Sequence, residues 1–447
     1  MLRRKFIQLT GVGALTVAQL KARTQVLPSS KTVQPRKSAK NVILVFLAGG
    51  QSHVDTFDLK VGNWTPSDFE PGTFGNLYMP AGLFPNLVQH TDKFSILRAM
   101  EGKEAVHQRA SYQLQTCHTF NPVFSQEQPH LGSLLAYELE SERAATDILP
   151  GFVAINNTSS IQGPGMLAST YAALRFNGQE GLPGLVHPDG ESLFNQRWNS
   201  LMKLDGNDRL NPSALGSQVS DYHHFYISGE QMMYEADVTE AFNLTENDLA
   251  RYGSGDVGSG CALAVKILAK NRGTRVVQVT QGGWDQHYDI YDKNVNSNLY
   301  DTTSQLDIAL AAMLEDLASL PGAWGGTLLD ETLVVVTGEF GRTPGPLSTN
   351  DGRNHYQYAW SALMAGGGVV PNQAFGATDP EGWFIQDPFW NRGRNIHIND
   401  LIATIYSSMG VDWSKEILDT PSGRVFEYTP KVNGVAGYYD DVFEMFG

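Results

Sequence analysis

Cysteine is scarce in this sequence, and the features that mark linkers and repeats are missing. Only Cys117 and Cys261 occur in 447 residues, which argues against a disulfide scaffold of the kind that supports small secreted domains. The two thiols either pair or stay free and buried, and their spacing does not decide between these states. No repeat and no linker rich in Pro, Gly and Ser interrupts residues 41–447, so we predict one large domain there.

Positive charge is also in short supply. The chain has 32 Lys and Arg against 47 Asp and Glu, which gives a net charge of −15. Such a surface repels phosphate backbones and anionic lipid, so nucleic-acid binding and membrane-surface binding are disfavoured. The acidic balance still allows a small anionic substrate, because a bound metal ion reverses the local field. No feature of the sequence indicates a protein partner.

The N-terminal apolar stretch is too short to span a bilayer. Paired Arg3 and Arg4 precede an apolar stretch from Leu9 to about Leu20, and the small Ala22 follows. A spanning helix needs about 20 apolar residues, whereas this order of features is typical of a twin-arginine signal peptide. We predict cleavage near residue 22, export to the periplasm or the exterior, and no integral membrane segment afterwards. A basic amphipathic N-terminus that stays inside the cell is the alternative.

The remaining chain divides into a short tether and the main domain. Residues 23–40 contain prolines, serines and several basic residues, a composition that predicts a flexible tether. Residues 41–447 form the predicted single domain. Within it, residues 156–250 are rich in Gly, Asn and aromatic residues, and we predict that they form an insertion or a cap over the site.

Three continuous apolar runs predict buried strands, at Asn41–Leu47, Arg275–Thr280 and Thr332–Thr337. Runs of this kind are typical of central parallel strands, and Gly151–Ile155 is a shorter candidate. Apolar residues at helical spacing over Asp301–Leu320 predict an amphipathic helix between the last two runs. Strand, helix and strand in this order predict a right-handed crossover and a parallel sheet.

Polar residues follow each of the three strands, at the edge of the sheet where parallel strands end. In open parallel sheets, ligands bind beyond the carboxyl ends of the strands, so we expect these polar groups to converge. A single Asp-x-His pair usually only satisfies loop backbone groups, but several such groups after several strands favour a site. In chain order they are Ser52, His53, Asp55, Asp285, His287, Glu339 and Arg342.

The donor types at this edge suit a divalent metal ion. Asp285, His287, Glu339 and the later His355 combine carboxylates with imidazoles. Mixed oxygen and nitrogen donors suit zinc, manganese or iron, and oxygen donors also suit calcium or magnesium. Arg342 either holds a tetrahedral anion in its fork or pairs with an acidic residue.

Five segments resemble, in the same order, those of the bacterial domain-of-unknown-function family 1501. They span nearly all of residues 41–430 and read FLAGGQSHVDTFDLK, GGWDQH, VVVTGEFGRTP, GRNHYQYAWSALMAGGG and INDLIATIYSSMGVD. That family is placed in the alkaline-phosphatase-like superfamily together with the sulfatases. The resemblance implies a three-layer α/β/α sandwich with a mostly parallel central sheet. It also implies one or two metal ions and a nucleophile derived from Ser, Thr or Cys.

The resemblance suggests a role for several site residues. Asp285 and His287 stand where the superfamily has an acid and a histidine as metal ligands, and His355 resembles a later metal-binding histidine. Glu339 takes the place of another metal-binding acid. Phe340, however, stands where the neighbouring histidine is expected.

Two departures from the sulfatase pattern affect the mechanism. Ala48 and Gly49 replace the metal-binding Asp pair after the first strand, so a ligand from that segment has to be His53 or Asp55. His107 stands where the nucleophilic cysteine is expected. The attacking group is therefore open among Ser52, Ser111, a metal-bound water and His107.

These observations favour an exported, metal-dependent hydrolase of phosphate or sulfate esters that acts on a small anionic substrate. Its candidate catalytic residues are Ser52, His107 and Arg342, with a divalent ion as the cofactor. Because a fold does not fix a function, the alternative is an exported binding or assembly protein that keeps the fold without catalysis. The metal content of the purified protein distinguishes the two hypotheses.

Overall fold

The structure is a computed structural model that describes residues 26–27, 33–156, 160–210 and 217–447. The predicted signal peptide, residues 1–22, lies outside the described residues, as does much of the predicted tether. Part of the described segment 33–40 packs against the main domain. Ala39 is buried, and Arg36 pairs with the buried Asp441. The ion pair attaches this segment to the body of the protein.

A central sheet of nine strands is formed within the described residues. In chain order the strands are β1 Asn41–Leu47, β2 Phe94–Glu101, β3 Phe152–Ile155, β4 Leu174–Phe176, β5 Val276–Gln281, β6 Thr332–Thr337, β7 Trp360–Ala365, β8 Ala374–Phe375 and β9 Ile396–His397. Across the sheet the order is β8, β2, β7, β6, β1, β5, β3 and β4, with β9 beside β2. β7 is antiparallel to both neighbours, whereas the other pairings are parallel.

Helices cover both faces of this sheet. They are α1 His107–Thr116, α2 Leu131–Glu138, α3 Glu191–Leu210, α4 Ser217–Met232, α5 Ala236–Ala241, α6 Glu246–Tyr252, α7 Asp256–Ala269, α8 Leu299–Ser319 and α9 Ile398–Ser408. In β1, Ile43 and Val45 face a core cluster with α7 and α8, whereas Val42 and Leu44 face a second cluster with α2 and α9. The predicted α/β/α sandwich with a mostly parallel sheet is confirmed.

The sequence located several elements closely and misplaced the starts of one strand and one helix by one or two residues. The predicted strands at β1 and β6 are confirmed to the residue, and β5 begins at Val276, one position later than predicted. The helix predicted from Asp301 begins at Leu299 instead, because the Asn298 side chain caps it by accepting the Asp301 N–H at 3.0 Å. Asn is among the best residues for this position.

The two cysteines lie in different core clusters, on opposite faces of the sheet, and both are free. Burial raises the pKa of both thiols, that of Cys261 to about 12. The layer of strands between them keeps Cys117 from reaching Cys261. Among the described residues, no helix combines the length and the apolar character that crossing a membrane requires.

Candidate metal centre

Four segments of the chain meet at one edge of the central sheet. Phe46 of β1 pairs with Thr280 of β5 and with Thr337 of β6, so the three strands end side by side. β2 runs in the same direction, because two antiparallel pairings through β7 connect it to β6. The segment after β2 therefore returns to the same edge, where α1 begins at His107.

Three side chains form a tight triangle at this edge. Asp285 Oδ1 lies 3.0 Å from His287 Nε2 and 3.3 Å from His355 Nε2, and the two nitrogens are 2.9 Å apart. His107 Nε2 lies 3.1 Å from the same carboxylate oxygen. All four donor atoms fall within 4.8 Å of one another. The triangle matches the spacing of about 3.3 Å between ligands of a tetrahedral zinc with bonds near 2.0–2.1 Å.

Each histidine of the cluster is oriented by an oxygen atom at its Nδ1. An oxygen that accepts at Nδ1 fixes the hydrogen there and leaves the lone pair on Nε2, as in most metal-binding histidines. Every Nε2 lone pair is then aimed into the cluster. The oxygen partners are Glu339 for His107 at 2.7 Å, the Ala105 carbonyl for His355 at 2.7 Å and the Asn354 side chain for His287 at 3.2 Å.

A divalent cation would stabilise the cluster further. The facing nitrogens of His287 and His355 are both acceptors beside the Asp285 carboxylate, and an ion between them would add to the positive charge of Arg342, which lies 2.6 Å from Asp285 and 3.5 Å from His287 Nε2. The Nε2 atom of His107 is buried and faces the same Asp285 carboxylate oxygen at 3.1 Å. The residues therefore fit a divalent metal ion.

Shifted pKa values put Asp285 and His355 in their ligand forms at neutral pH. Burial raises the pKa of Asp285, but the hydrogen bond and charge of Arg342 outweigh it and hold that pKa well below its usual range. Burial lowers the pKa of His355, and the charge of Arg342 lowers it further. The hydrogen bond to Glu339 raises the pKa of His107 against the effect of burial. Asp285 is thus ionised and His355 neutral at pH 7.

Arg342 positions the centre, and of the two roles that the sequence left open, anion binding and pairing with an acidic residue, the structure shows the second. Its side chain is buried and pairs with Asp285 at 2.6 Å. Its Nε donates to the Gly50 carbonyl at 3.0 Å and its Nη1 to the Arg353 carbonyl at 3.1 Å, while Nη2 also contacts the Gly49 carbonyl. These bonds occupy the guanidinium fork, so Arg342 holds Asp285 and the glycine turn in place.

The Gly49–Gly50 turn allows this close packing. Gly49 has a φ of 114°, and a Cβ there would lie 2.4 Å from the backbone nitrogen of Asp285. The Gly49 N–H also donates to both carboxylate oxygens of Glu339, at 3.0 and 3.2 Å. A residue with a side chain would therefore displace both the Asp285 loop and Glu339.

The structure does not bring Ser52, His53 or Asp55 to the cluster. Asp55 forms a buried bidentate pair with Arg353, at 2.6 and 3.0 Å, and it accepts the Ser52 hydroxyl at 2.6 Å. His53 is buried and donates through Nε2 to the Gly382 carbonyl at 2.9 Å. Because these groups already have partners within the fold, they stabilise the loops rather than bind the ion. Glu339 likewise lies behind His107 rather than among the four donor atoms.

A cleft of about 800 Å³ opens onto the cluster. His107, Asp285 and Glu339 line it together with Ser111 of α1, and residues 160–163 and Arg175 form part of its wall. Residues 160–163 and Arg175 belong to the predicted insertion, 156–250. No motif in the sequence identified them individually as part of the site, because their contribution depends on how the insertion folds back over the edge of the sheet.

Comparison with known proteins gives one family and several remote structural similarities. A family model described as "Protein of unknown function (DUF1501)" matches residues 39–436. A protein in the alkaline phosphatase superfamily from Vibrio parahaemolyticus is similar with a TM-score of 0.36 and 12% identity, over 85% of this chain and 69% of that one. The lipoteichoic acid synthase LtaP from Listeria monocytogenes gives 0.37 and 12%, over 87% and 76%.

The zinc complex of the C-terminal periplasmic domain of EcEptC from Escherichia coli has a TM-score of 0.38 and 10% identity, over 92% of this chain and 97% of that domain. No curated protein matches the chain. These similarities are remote. The chemistry of the centre therefore has to be inferred from the residues of this chain.

Proposed function

Since this chain belongs to the DUF1501 family of proteins of unknown function, we propose its function from the geometry of its own site. We propose that it is an exported hydrolase of phosphate or sulfate esters that depends on a divalent metal ion. Asp285, His287 and His355 hold the ion. Export is part of the proposal and rests on the leader with Arg3 and Arg4.

One observation carries this proposal. Three donor atoms of Asp285, His287 and His355 lie 2.9 to 3.3 Å from one another, and each histidine has its Nδ1 held by an oxygen. Two imidazole lone pairs and a carboxylate oriented in this way repel one another, and a cation held between them would remove this repulsion in addition to the ion pair of Asp285 with Arg342. An ion pair that only stabilises the fold would not require two histidine lone pairs that point toward the same carboxylate.

The protein residues around the triangle prepare it for an anionic ester. Two histidines and one carboxylate would bind a divalent ion with the same set of protein ligands that some catalytic zinc sites use, and a cleft lies beside them. A divalent ion there supplies Lewis-acid stabilisation for an ester oxygen. Arg342 keeps Asp285 ionised and fixed.

The proposal is tested with metal-loaded protein and a panel of aryl phosphates, phosphodiesters and aryl sulfates. We expect hydrolysis of at least one ester class by the wild-type protein, its loss after chelation, and its recovery when the ion is restored. His355→Gln should lose both the ion and the activity, whereas Ser52→Ala should keep both, because Ser52 contacts Asp55 and not the cluster. A metal-loaded protein that hydrolyses none of the panel would refute the enzymatic function and favour a binding protein.

A further inference from the structure

We propose that a second pocket, next to the metal cleft, binds a sugar ring, and that the ester cleaved at the metal centre is therefore carried by an oligosaccharide. The assignment of the ester rests on the proposed function. The binding of a saccharide in the pocket does not, since it involves neither the metal triangle nor His107. Saccharide binding and ester hydrolysis can therefore be measured separately.

The second pocket is built by two segments that lie far apart in the sequence. It has a volume of about 310 Å³ and is lined by side chains from the loop after α1, residues 118–128, and from residues 420–430. Pockets of this size hold small molecules. The Ser422 N–H donates to the Glu127 carboxylate at 2.9 Å, and the Arg424 guanidinium lies 4.3 Å from the centre of the Phe124 ring. These two contacts fix the walls of the pocket relative to each other.

The lining of the second pocket combines aromatic rings with groups that both donate and accept hydrogen bonds. The rings are those of Tyr112, Phe124 and Phe426, and Phe426 stacks on His118 with the ring centres 5.1 Å apart. The amide and hydroxyl side chains are those of Thr119, Asn121, Gln128, Thr420 and Ser422. Sugar hydroxyls also donate and accept, and the C–H face of a sugar ring packs against the negative face of an aromatic ring. A saccharide therefore matches both kinds of group.

Other classes of ligand match this lining less well. Among the described residues that line the pocket, Arg424 is the one Lys or Arg, and the Glu127 carboxylate repels anions. A nucleotide or a polyphosphate is therefore disfavoured. A wholly apolar ligand would leave the amides and hydroxyls without partners, which costs free energy. The side-chain oxygen of Gln128 is buried and has no hydrogen-bond partner among the described residues. Such groups are rare in native proteins, and a ligand hydroxyl would satisfy it.

The second pocket adjoins the metal cleft at Tyr112, which lines both. The loop that forms one wall of the pocket also contributes Phe120 and Gln126 to the cleft, and the Phe120 ring meets Tyr112 edge-on with centres 5.2 Å apart. Tyr112 lies five positions beyond His107 on α1, or about 7–8 Å along the helix axis. An ester at the triangle and a ring in the pocket are thus separated by an intervening unit, which an oligosaccharide provides.

Binding is tested on metal-loaded protein by calorimetry and saturation-transfer NMR with cellotriose, maltotriose, galactotriose and mannotriose, which carry no ester. At least one trisaccharide should bind, and Phe124→Ala should weaken its affinity by about tenfold, as expected for the loss of a ring contact. Val123→Ala is the matched control, because Val123 is 76% exposed and does not line the pocket. Arg424→Gln, at an exposed position, gives a second variant that should weaken binding if Phe124→Ala unfolds. No binding of any trisaccharide, or binding that these variants leave unchanged, would overturn the proposal.

Kinetics connect the pocket to the ester. Phosphate and sulfate monoesters of the trisaccharide that binds are compared with the p-nitrophenyl ester of the same acid. Phe124→Ala should raise KM for the trisaccharide ester by about tenfold and leave kcat and KM for the p-nitrophenyl ester unchanged. Equal changes for both esters would contradict the role of the pocket. Hydrolysis of aryl esters by a protein that binds no trisaccharide would refute this inference and leave the proposed hydrolase intact. Saccharide binding at the pocket without hydrolysis of any ester would instead refute the proposed function, and with it the assignment of the ester.

Discussion

A buried histidine whose side chain caps the first turn of α2 makes the free energy of unfolding of this protein depend on pH. His130 precedes α2, where its Nδ1 accepts the Gly132 N–H at 2.9 Å and its Nε2 donates to the Gln278 side chain at 3.0 Å. This arrangement requires the neutral ring, because a proton on Nδ1 would remove the acceptor that caps the helix. Burial lowers the pKa of His130 from 6.5 to about 3.

The sign and size of the effect follow from linkage. The folded state keeps His130 neutral down to its low pKa, whereas the unfolded chain takes up a proton below the ordinary pKa. The contribution to stability is therefore fully present above about pH 6.5 and is lost as the pH falls toward the folded pKa. At pH 5 the loss is roughly 2 kcal/mol, since each pKa unit corresponds to about 1.4 kcal/mol.

Guanidinium unfolding at pH 7 and pH 5 measures this loss. His130→Asn keeps a good capping side chain but has no titrating ring, so the stability difference between the two pH values should shrink by roughly 2 kcal/mol relative to the wild type. His224→Asn, at an exposed position of α4, is the control and should leave the pH dependence unchanged. An unaltered pH dependence in His130→Asn would refute the explanation.

Three further predictions concern the glycine turn, the thiols and the leader. Gly49→Ala should lower the free energy of unfolding by about 1–3 kcal/mol, because its side chain would overpack against Asp285, and it should also lower the metal content. Unfolding curves and elemental analysis measure these two effects. Gly184→Ala is the control and should keep the ion, because Gly184 also has a positive φ but faces open space. Reductant alone should leave the melting temperature unchanged, because the two free thiols lie on opposite faces of the sheet; a large drop would contradict this. Replacing both Arg3 and Arg4 by Lys should leave unprocessed precursor in the cytoplasm, and normal periplasmic delivery of that variant would rule out the twin-arginine route.

Much of the fold was predictable because the central strands are buried on both faces and appear as continuous apolar runs. β1, β5 and β6 have this pattern, and the family resemblance supplied the layer arrangement. β2 escaped detection because Ser95 and Arg98 interrupt its apolar run. Both residues bond to backbone carbonyls, of Val370 and Gly376 respectively, which is a tertiary effect that periodicity does not contain.

The site was predictable only for residues that directly follow a predicted parallel strand, because the carboxyl ends of parallel strands share one edge of the sheet. Asp285 and His287 could be placed at one edge from the parallel β1, β5 and β6 alone. The position of His107 beside them depends on the direction of β2, which two antiparallel pairings through β7 determine. The pairing of Asp55 with Arg353, 298 positions apart, likewise follows from the fold, and it turns a predicted metal ligand into a structural anchor.

The central claim is that Asp285, His287 and His355 hold a divalent ion. Crystals of the protein purified from a host with a working twin-arginine system, with diffraction collected on both sides of the absorption edge of the ion found by elemental analysis, test it most directly. We predict an anomalous peak within about 2.0–2.3 Å of a carboxylate oxygen of Asp285 and of the Nε2 atoms of His287 and His355. A metal-loaded crystal without a peak at the triangle, or with its peak beside His53 and Asp55 instead, would contradict it.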